Sequence, residues 1–556
     1  DYGHLVVYDV DSLGAWSNPR TILEGWAAPI DISWSPDGRW LAYSQPDLDF
    51  NREVFIASAD GSQKPVNISM HPRSDRGPVW SRDGSKLAFI SNRNNGDDDV
   101  WFVWLRKDDW EKSKEDWKEA PFMETEKSKD DKKDKDSILK IEIDFDMIHR
   151  RIEQVTSMPG DERNALFSED GETVYFNGQE GGQNKFFSVK WDGSELKSIA
   201  DHPLGQPTLS KDGKKIYYVS RGQMRQFLID SKKSETIPFQ GRKKMDYEAE
   251  RNQIFEELWR ELNDRFYDPQ FHGRDWKGLK EKYKPWALKA STAQDFRDMV
   301  NAMLGQLNAS HMGLYGSNPE DIERISTGRL GIEIKPIAEG VEVLHVVPHS
   351  PADRAESRLM AGDVIRAVNG QEVNQDINFW SLLMEKENNR VWLSVDRGGE
   401  LKDIYIRTSS SIGTQLYEEW VEERRRLTQR YSDGRLGYIH IQGMNWPSFE
   451  AFERELTASG YGKEGLVIDV RYNGGGWTTD MLMTVLLVQQ HAYTVPRGAT
   501  DDLSNHTRFQ NHYPFGERLP LSAWTLPAAA ICNHSSYSNA EIFSHAFKTL
   551  DRGPLI

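Results

Sequence analysis

The 556-residue sequence predicts a multidomain protein. Blades of a β-propeller come first, then a short helical segment, and an α/β domain comes last. Three observations carry this reading. A Ser-x-Asp-Gly pattern recurs four times in the first 240 residues. Near residue 244 the apolar residues change to helical spacing. Beyond residue 409, apolar strand-like runs lead through small-residue turns into helix-compatible stretches. At about 150 residues per domain, the length itself suggests three to four domains.

Composition removes several classes. With 28% charged and 37% hydrophobic residues, collagen-like, coiled-coil and wholly disordered chains drop out. No run of 18 apolar residues is present, so no membrane partner is expected. The single cysteine, Cys532, rules out a disulfide framework. A net charge of −17 argues against a dominant nucleic-acid surface. Asp1-Tyr2-Gly3-His4-Leu5 reads as a strand already under way, and Gly553-Pro554-Leu555-Ile556 as a turn before an apolar run. The sequence is therefore expected to be a fragment of a longer chain, which leaves its compartment open.

The repeats define the first element, residues 1–240. They are Trp34-Ser35-Pro36-Asp37-Gly38, Trp80-Ser81-Arg82-Asp83-Gly84, Phe167-Ser168-Glu169-Asp170-Gly171 and Leu209-Ser210-Lys211-Asp212-Gly213, each followed by an apolar run. Asp-Gly makes a tight turn between two strands. The aspartates are spaced by 46, 87 and 42 residues, a blade period with one insertion. The insertion, 105–137, holds 22 charged side chains and cannot bury enough apolar surface to fold. It reads as a solvated loop or as an interaction loop. These tandem blades are similar to those of dipeptidyl-peptidase-like and tricorn-like propellers.

Residues 244–322 form the helical segment. Ile254, Phe255, Leu258, Trp259, Leu262 and Phe266 mark one helix, closed by Tyr267-Asp268-Pro269. A second amphipathic stretch, 291–307, runs into Ser310-His311. A histidine at a helix-to-loop junction is a sensible place for a reactive imidazole, and equally for a surface histidine.

Residues 323–408 carry short strands with Gly328-Arg329-Leu330-Gly331-Ile332, Val346-Val347-Pro348 and Ala361-Gly362-Asp363-Val364. The succession looks like a PDZ domain. That resemblance implies backbone N–H groups at Arg329, Leu330, Gly331 and Ile332 that bind a peptide carboxylate, unless the groove serves internal packing.

In residues 409–556, a charged helix leads to the strand Leu436-Gly437-Tyr438-Ile439-His440-Ile441. A second strand ends in Asn473-Gly474-Gly475-Gly476-Trp477 before a helix. Such a turn presents free N–H groups to negative charge. No Gly-Lys-Ser/Thr follows, so an oxyanion hole fits better than a phosphate loop. The third strand runs into His534-Ser535-Ser536-Tyr537-Ser538-Asn539-Ala540-Glu541. There Ser538 opens a helix with the Asn539 N–H facing its hydroxyl, which suits a nucleophile or a plain N-cap. His534 is a candidate base beside it.

The order of parts resembles the tricorn core protease family. Through the last two domains it also resembles the carboxy-terminal processing proteases. The resemblance implies a serine peptidase with a crotonase-like α/β catalytic domain. It implies Ser538 as nucleophile, His311 as base, Ser310 bonded to that base, and the Gly475 and Asn539 N–H groups as oxyanion donors. It further implies peptide substrates, no cofactor or metal, a cytoplasmic location and a homo-oligomer, hexameric in the family. Two departures stand out. The stretch matching the family's acidic specificity residue, 491–496, holds no carboxylate, with Asp501 and Asp502 offset from it, so a weak preference for Lys or Arg is expected. The family's fourth catalytic member, a glutamate, falls past Ile556. The alternatives are a Ser/Lys processing protease and a propeller-PDZ scaffold without turnover.

Overall fold

The computed structural model describes residues 3–47, 51–94, 96–113, 116–117, 140–316, 325–489 and 523–556. It resolves two compact units, Asp1–Asn308 and Ala309–Ile556. Ser310 and His311 thus fall in the second unit, apart from the helices that precede them in sequence.

In the first unit, a hairpin of Leu5–Val10 and Trp16–Leu23 precedes four antiparallel four-stranded sheets. Each Ser-x-Asp-Gly lies between the first and second strands of its sheet, as in Ile30–Trp34 and Trp40–Pro46, or Arg163–Phe167 and Thr173–Glu180. The hydroxyl explains the motif. Ser168 Oγ accepts the Thr173 N–H at 2.9 Å and donates to Asp170 at 2.5 Å, while the Ser168 N–H reaches the Thr173 carbonyl at 2.7 Å. Ser35 and Ser210 repeat the pattern with Asp37 and Trp40, and with Asp212 and Lys215. The glycine is required because φ is positive there, +70° at Gly38.

Apolar faces of neighbouring sheets interlock, for instance Phe102 and Trp104 with Phe176, Phe187 and Trp191. Lys86 is fully buried in that region, with its Nζ 4.6 Å from the Trp104 ring and 5.4 Å from those of Trp117 and Trp191. Trp117 belongs to the charged insertion, so part of that loop packs on the blade through cation–π contact. The solvated-loop expectation for 118–139 lies outside the described residues.

The helical segment holds three helices. Tyr247–Arg265 is capped by Asp246, which accepts the Glu248 and Ala249 N–H groups. Ala293–Leu304 opens on a Thr292/Asp295 capping box. Between them lies Trp276–Leu288, which the sequence did not announce. Its interior Pro285 ordinarily ends a helix, but Trp276, Tyr283 and Ala287 are buried and tertiary packing holds it.

In the second unit, the PDZ-like module is an antiparallel sheet with Ile332–Ile337 at one edge and Glu400–Arg407 at the other. Among the described residues, the α/β domain has three parallel strands in sequence order: Leu436–His440, Gly465–Asp469 and Ala528–Ile531. Helices Trp446–Ala458, Thr479–Leu487 and Asn539–Thr549 contribute Phe449, Phe452, Leu482, Val485, Phe543 and Phe547 to its core. Parallel strands need such crossovers, and ligands bind at their carboxyl ends. Among the described residues, no helix is long and apolar enough to cross a membrane.

Candidate active site

Every candidate catalytic residue of the α/β domain lies where a parallel strand ends. After Gly465–Asp469 the chain turns through Tyr472 at φ 64° to the buried Asn473. The Asn473 Nδ2 donates to the Ile441 carbonyl at 2.9 Å, beyond the end of the first strand. Its own carbonyl accepts the Tyr537 N–H at 2.9 Å, from the loop that follows the third. One side chain and its backbone thus tie the three strand ends together.

The glycines then bring the backbone against the Ser538 loop. A Cβ on Gly475 would sit 2.7 Å from the Ser538 Cβ, and one on Gly476 would sit 1.9 Å from the Met444 carbonyl oxygen. Only glycine fits at either position.

Ser538 has φ 56° and ψ −120°, a strained conformation for a residue with a Cβ. It opens the helix, yet its hydroxyl is not the cap. The Glu541 carboxylate accepts the Ser538 N–H at 2.7 Å, and the Ser538 carbonyl accepts the Glu541 and Ile542 N–H groups at 2.9 and 3.1 Å. With backbone and helix start satisfied in this way, the hydroxyl turns outward. His311 Nε2 stands 2.8 Å from Ser538 Oγ. His311 is also left-handed, at φ 58°. His534, the other candidate base, is exposed, and the imidazole that meets the serine belongs to His311.

Two expected residues are placed differently. Ser310 does not bond to the imidazole; its hydroxyl donates to the Tyr537 hydroxyl at 3.0 Å. The expected bond fails because the side chain of Tyr537, next to Ser538, takes it instead. The Gly475 N–H is already donated to Asn473 Oδ1 at 2.9 Å, so it must be shared with an oxyanion. The Asn539 N–H sits in the first turn of its helix, where backbone donors lack intrahelical acceptors. The Asn539 side chain is held by Thr479, whose N–H donates to Oδ1 at 3.0 Å. The specificity stretch 491–496, with Asp501 and Asp502, lies outside the described residues.

Beneath the glycine turn is a network that no motif flagged. Asp469 is fully buried and receives Arg471 Nη2 at 2.6 Å and the Tyr438 hydroxyl at 2.7 Å. Burial alone would raise its pKa. The Arg471 guanidinium, the Arg471 N–H and the Tyr438 hydroxyl outweigh burial and hold the carboxyl below the ordinary carboxylate range. His440 accepts from the Tyr417 hydroxyl at 2.8 Å and donates to the Arg471 carbonyl at 2.9 Å; burial holds its pKa down, so the ring stays neutral. The alternation Tyr438-x-His440 and Asp469-x-Arg471 at two strand ends was the available signal. Glu541 was readable too, as the fourth residue of a Ser-x-x-Glu box.

In the PDZ-like module, the Arg329 N–H donates to the Ser409 carbonyl at 2.8 Å, which removes it from the expected carboxylate donors. Leu330 and Ile332 point into the module core with Phe379 and Leu383. Gly331, at φ +83°, has Ser350 packed where a Cβ would lie.

Residues 247–305 match the tricorn protease C1 domain, 328–408 a PDZ domain, and 435–556 peptidase family S41. The chain is similar to a tricorn-like protease C-terminal subunit of Sulfurisphaera tokodaii, with 26% identity over 94% of this chain and 61% of that protein. It is similar to a tricorn protease homolog of Saccharolobus solfataricus, with 25% identity over 99% of this chain and 52% of the relative. The C-terminal processing peptidase of Tetradesmus obliquus is 25% identical over 54% of this chain. A crystal structure of the tricorn protease superposes with a TM-score of 0.73 at 19% identity, covering 100% of this chain and 55% of that one, which shows a shared fold. The chain thus spans about half the length of the curated relatives it matches.

Proposed function

We propose that this tricorn-like chain is a serine peptidase that hydrolyses short peptides through an acyl-enzyme. The observation that carries the reading is the 2.8 Å contact between His311 Nε2 and Ser538 Oγ. The two residues lie 227 positions apart in sequence, so it is the fold that brings this imidazole to this hydroxyl.

The steps follow from that geometry. Ser538 Oγ–H donates to His311 Nε2. As Oγ attacks the scissile carbonyl, the proton passes to the imidazole. The negative oxygen that forms is met by the Asn539 N–H and by the Gly475 N–H, which Asn473 Oδ1 shares. Each such donor contributes roughly 3–4 kcal/mol in measured cases. His311 then protonates the leaving amine, and a water activated by the same imidazole hydrolyses the ester. Asn473, Asp469 and Arg471 hold the loops that aim these groups. The blades and the PDZ-like module control access to the site, and the protein works as a cytoplasmic homo-oligomer with domain boundaries near 240, 322 and 408. A Ser/Lys mechanism is disfavoured, because the imidazole already occupies the position of the base.

The test is covalent labelling of the full chain by a fluorophosphonate, with peptide turnover measured alongside. The wild-type chain and His534→Ala should label, and His311→Ala should lose both label and turnover. Labelling that persists in His311→Ala and disappears in His534→Ala would reassign the base. A wild-type chain that takes no label would leave the scaffold reading standing.

A further inference from the structure

The left-handed backbone of His311 persists only where its surroundings over-determine it. The described residues show what does so. The Tyr537 hydroxyl accepts the His311 backbone N–H at 2.8 Å and the Ser310 hydroxyl at 3.0 Å. The Tyr537 ring lies against the imidazole, with centroids 5.1 Å apart and planes tilted by 43°. Tyr537 is also the residue directly before Ser538, and its own N–H is fixed to the Asn473 carbonyl at 2.9 Å. The oxygen that grips the base loop is therefore carried by the nucleophile loop, one residue from the nucleophile.

We infer that Tyr537 is a positioning residue that sets the distance between His311 Nε2 and Ser538 Oγ. Ser310 supports catalysis by bonding to this phenol rather than to the imidazole. The inference rests on the serine-peptidase reading above. A phenol suits the task because its oxygen accepts two hydrogen bonds at the end of a rigid arm with few rotamers. Phenylalanine would keep the ring contact and lose both bonds. Serine would not reach. Since Tyr537 is 41% exposed, deleting its oxygen opens no core cavity.

The test uses the full chain and three variants: Tyr537→Phe, Ser310→Ala and Ser538→Ala. Two measurements are made on each, the acylation rate with a small fluorophosphonate and amide hydrogen exchange over residues 309–313. Tyr537→Phe should slow acylation and kcat by about 10- to 100-fold with KM changed less than about twofold, because a base misplaced by about an ångström costs that much. It should quicken exchange at the His311 amide by about tenfold. Ser310→Ala should show a smaller part of the acylation loss, with the His311 amide still protected by the phenol. Ser538→Ala should abolish labelling and leave exchange as in the wild type. Unchanged acylation in Tyr537→Phe overturns the inference, as does slowed acylation with unchanged exchange. Failure of the peptidase reading looks different: the wild-type chain would take no label, while exchange would still respond to the loss of the phenol.

Discussion

The blade turns and the turn at Ser538 use the same residue type to opposite ends. In the blades, Ser35, Ser168 and Ser210 each accept a backbone N–H and donate to an aspartate two residues on. Each hydroxyl is consumed within its own turn. At Ser538 those local needs are met by other atoms. Glu541 takes the Ser538 N–H, the Ser538 carbonyl takes the helix donors, and φ of 56° swings the side chain out toward His311. The difference teaches that a serine becomes available for chemistry when the backbone around it is satisfied without it. Reactivity here depends on the neighbours as much as on the hydroxyl.

Substituting the serine gives the largest expected effect. Ser538→Ala removes the hydroxyl proposed to form the acyl-enzyme, so turnover should fall by about 10^6-fold. Thermal melting of the variant should match the wild type, because no described backbone group relies on that hydroxyl. Labelling at full strength in the variant would break the comparison at its root.

The second expected effect concerns Glu541. In Glu541→Ala the Ser538 N–H loses its 2.7 Å acceptor, and nothing then prevents the serine from relaxing into an ordinary N-cap. Acylation should slow by about 10^2-fold through misplacement of Oγ, measured as the second-order rate of fluorophosphonate labelling. An unchanged rate would mean that the strained turn is held by other contacts, such as those of Asn473 and Ser536.

Sequence made the blades legible because their chemistry is local. Ser168, Asp170, Gly171 and Thr173 make the hydrogen bonds of the turn within six residues, so the motif and the structure coincide. Ser538 and His311 were legible only through the family resemblance, since each has a bland local reading and their meeting depends on the whole second unit. The placements of Ser310 and Gly475 were missed for a related reason. Which acceptor wins a hydroxyl or an N–H is decided by competitors: Tyr537, from the loop after the third strand, takes the Ser310 hydroxyl, and Asn473, two residues before Gly475, takes its N–H. The helix Trp276–Leu288 was hidden by Pro285, whose local signal is overridden by burial of Trp276, Tyr283 and Ala287.

Buried carboxylates extend the comparison to pH. In the second unit Asp469 is bonded by Arg471 and Tyr438 and stays ionised. Its contribution to stability is present above the ordinary carboxylate range and is lost as pH falls through its lowered value. In the first unit the fully buried Glu162 pairs with no cation among the described residues; burial first, and Asp99 beside it next, push it up to about 9 from 4.5. Its contribution is fully present below pH 4.5 and is lost as pH rises toward 9. Glu162→Gln keeps an acceptor for Thr156, which donates to it at 2.9 Å, and needs no proton. The variant should gain about 4 kcal/mol on the wild type between pH 5 and pH 8, read from the first unfolding transition in urea. A wild-type transition that is flat across that range would show that Glu162 is not held protonated in the fold.

The smallest expected effect bears most directly on the comparison, because it repeats the first substitution in the other region. Ser168→Ala deletes the acceptor of the Thr173 N–H at 2.9 Å and the donor to Asp170 at 2.5 Å. The turn also keeps the backbone bond from the Ser168 N–H to the Thr173 carbonyl, and the Thr173 N–H is only half-buried and can reach water. The loss is therefore near that of one ordinary hydrogen bond, about 1 kcal/mol, seen as a lower urea midpoint with unchanged slope. Labelling of Ser538 should be unaffected. The pair of substitutions then separates cleanly: one alanine costs rate and no stability, the other stability and no rate. If Ser168→Ala left the midpoint where it was, the blade hydroxyls would be as dispensable to the fold as the Ser538 hydroxyl, and the contrast would rest on Glu541 alone.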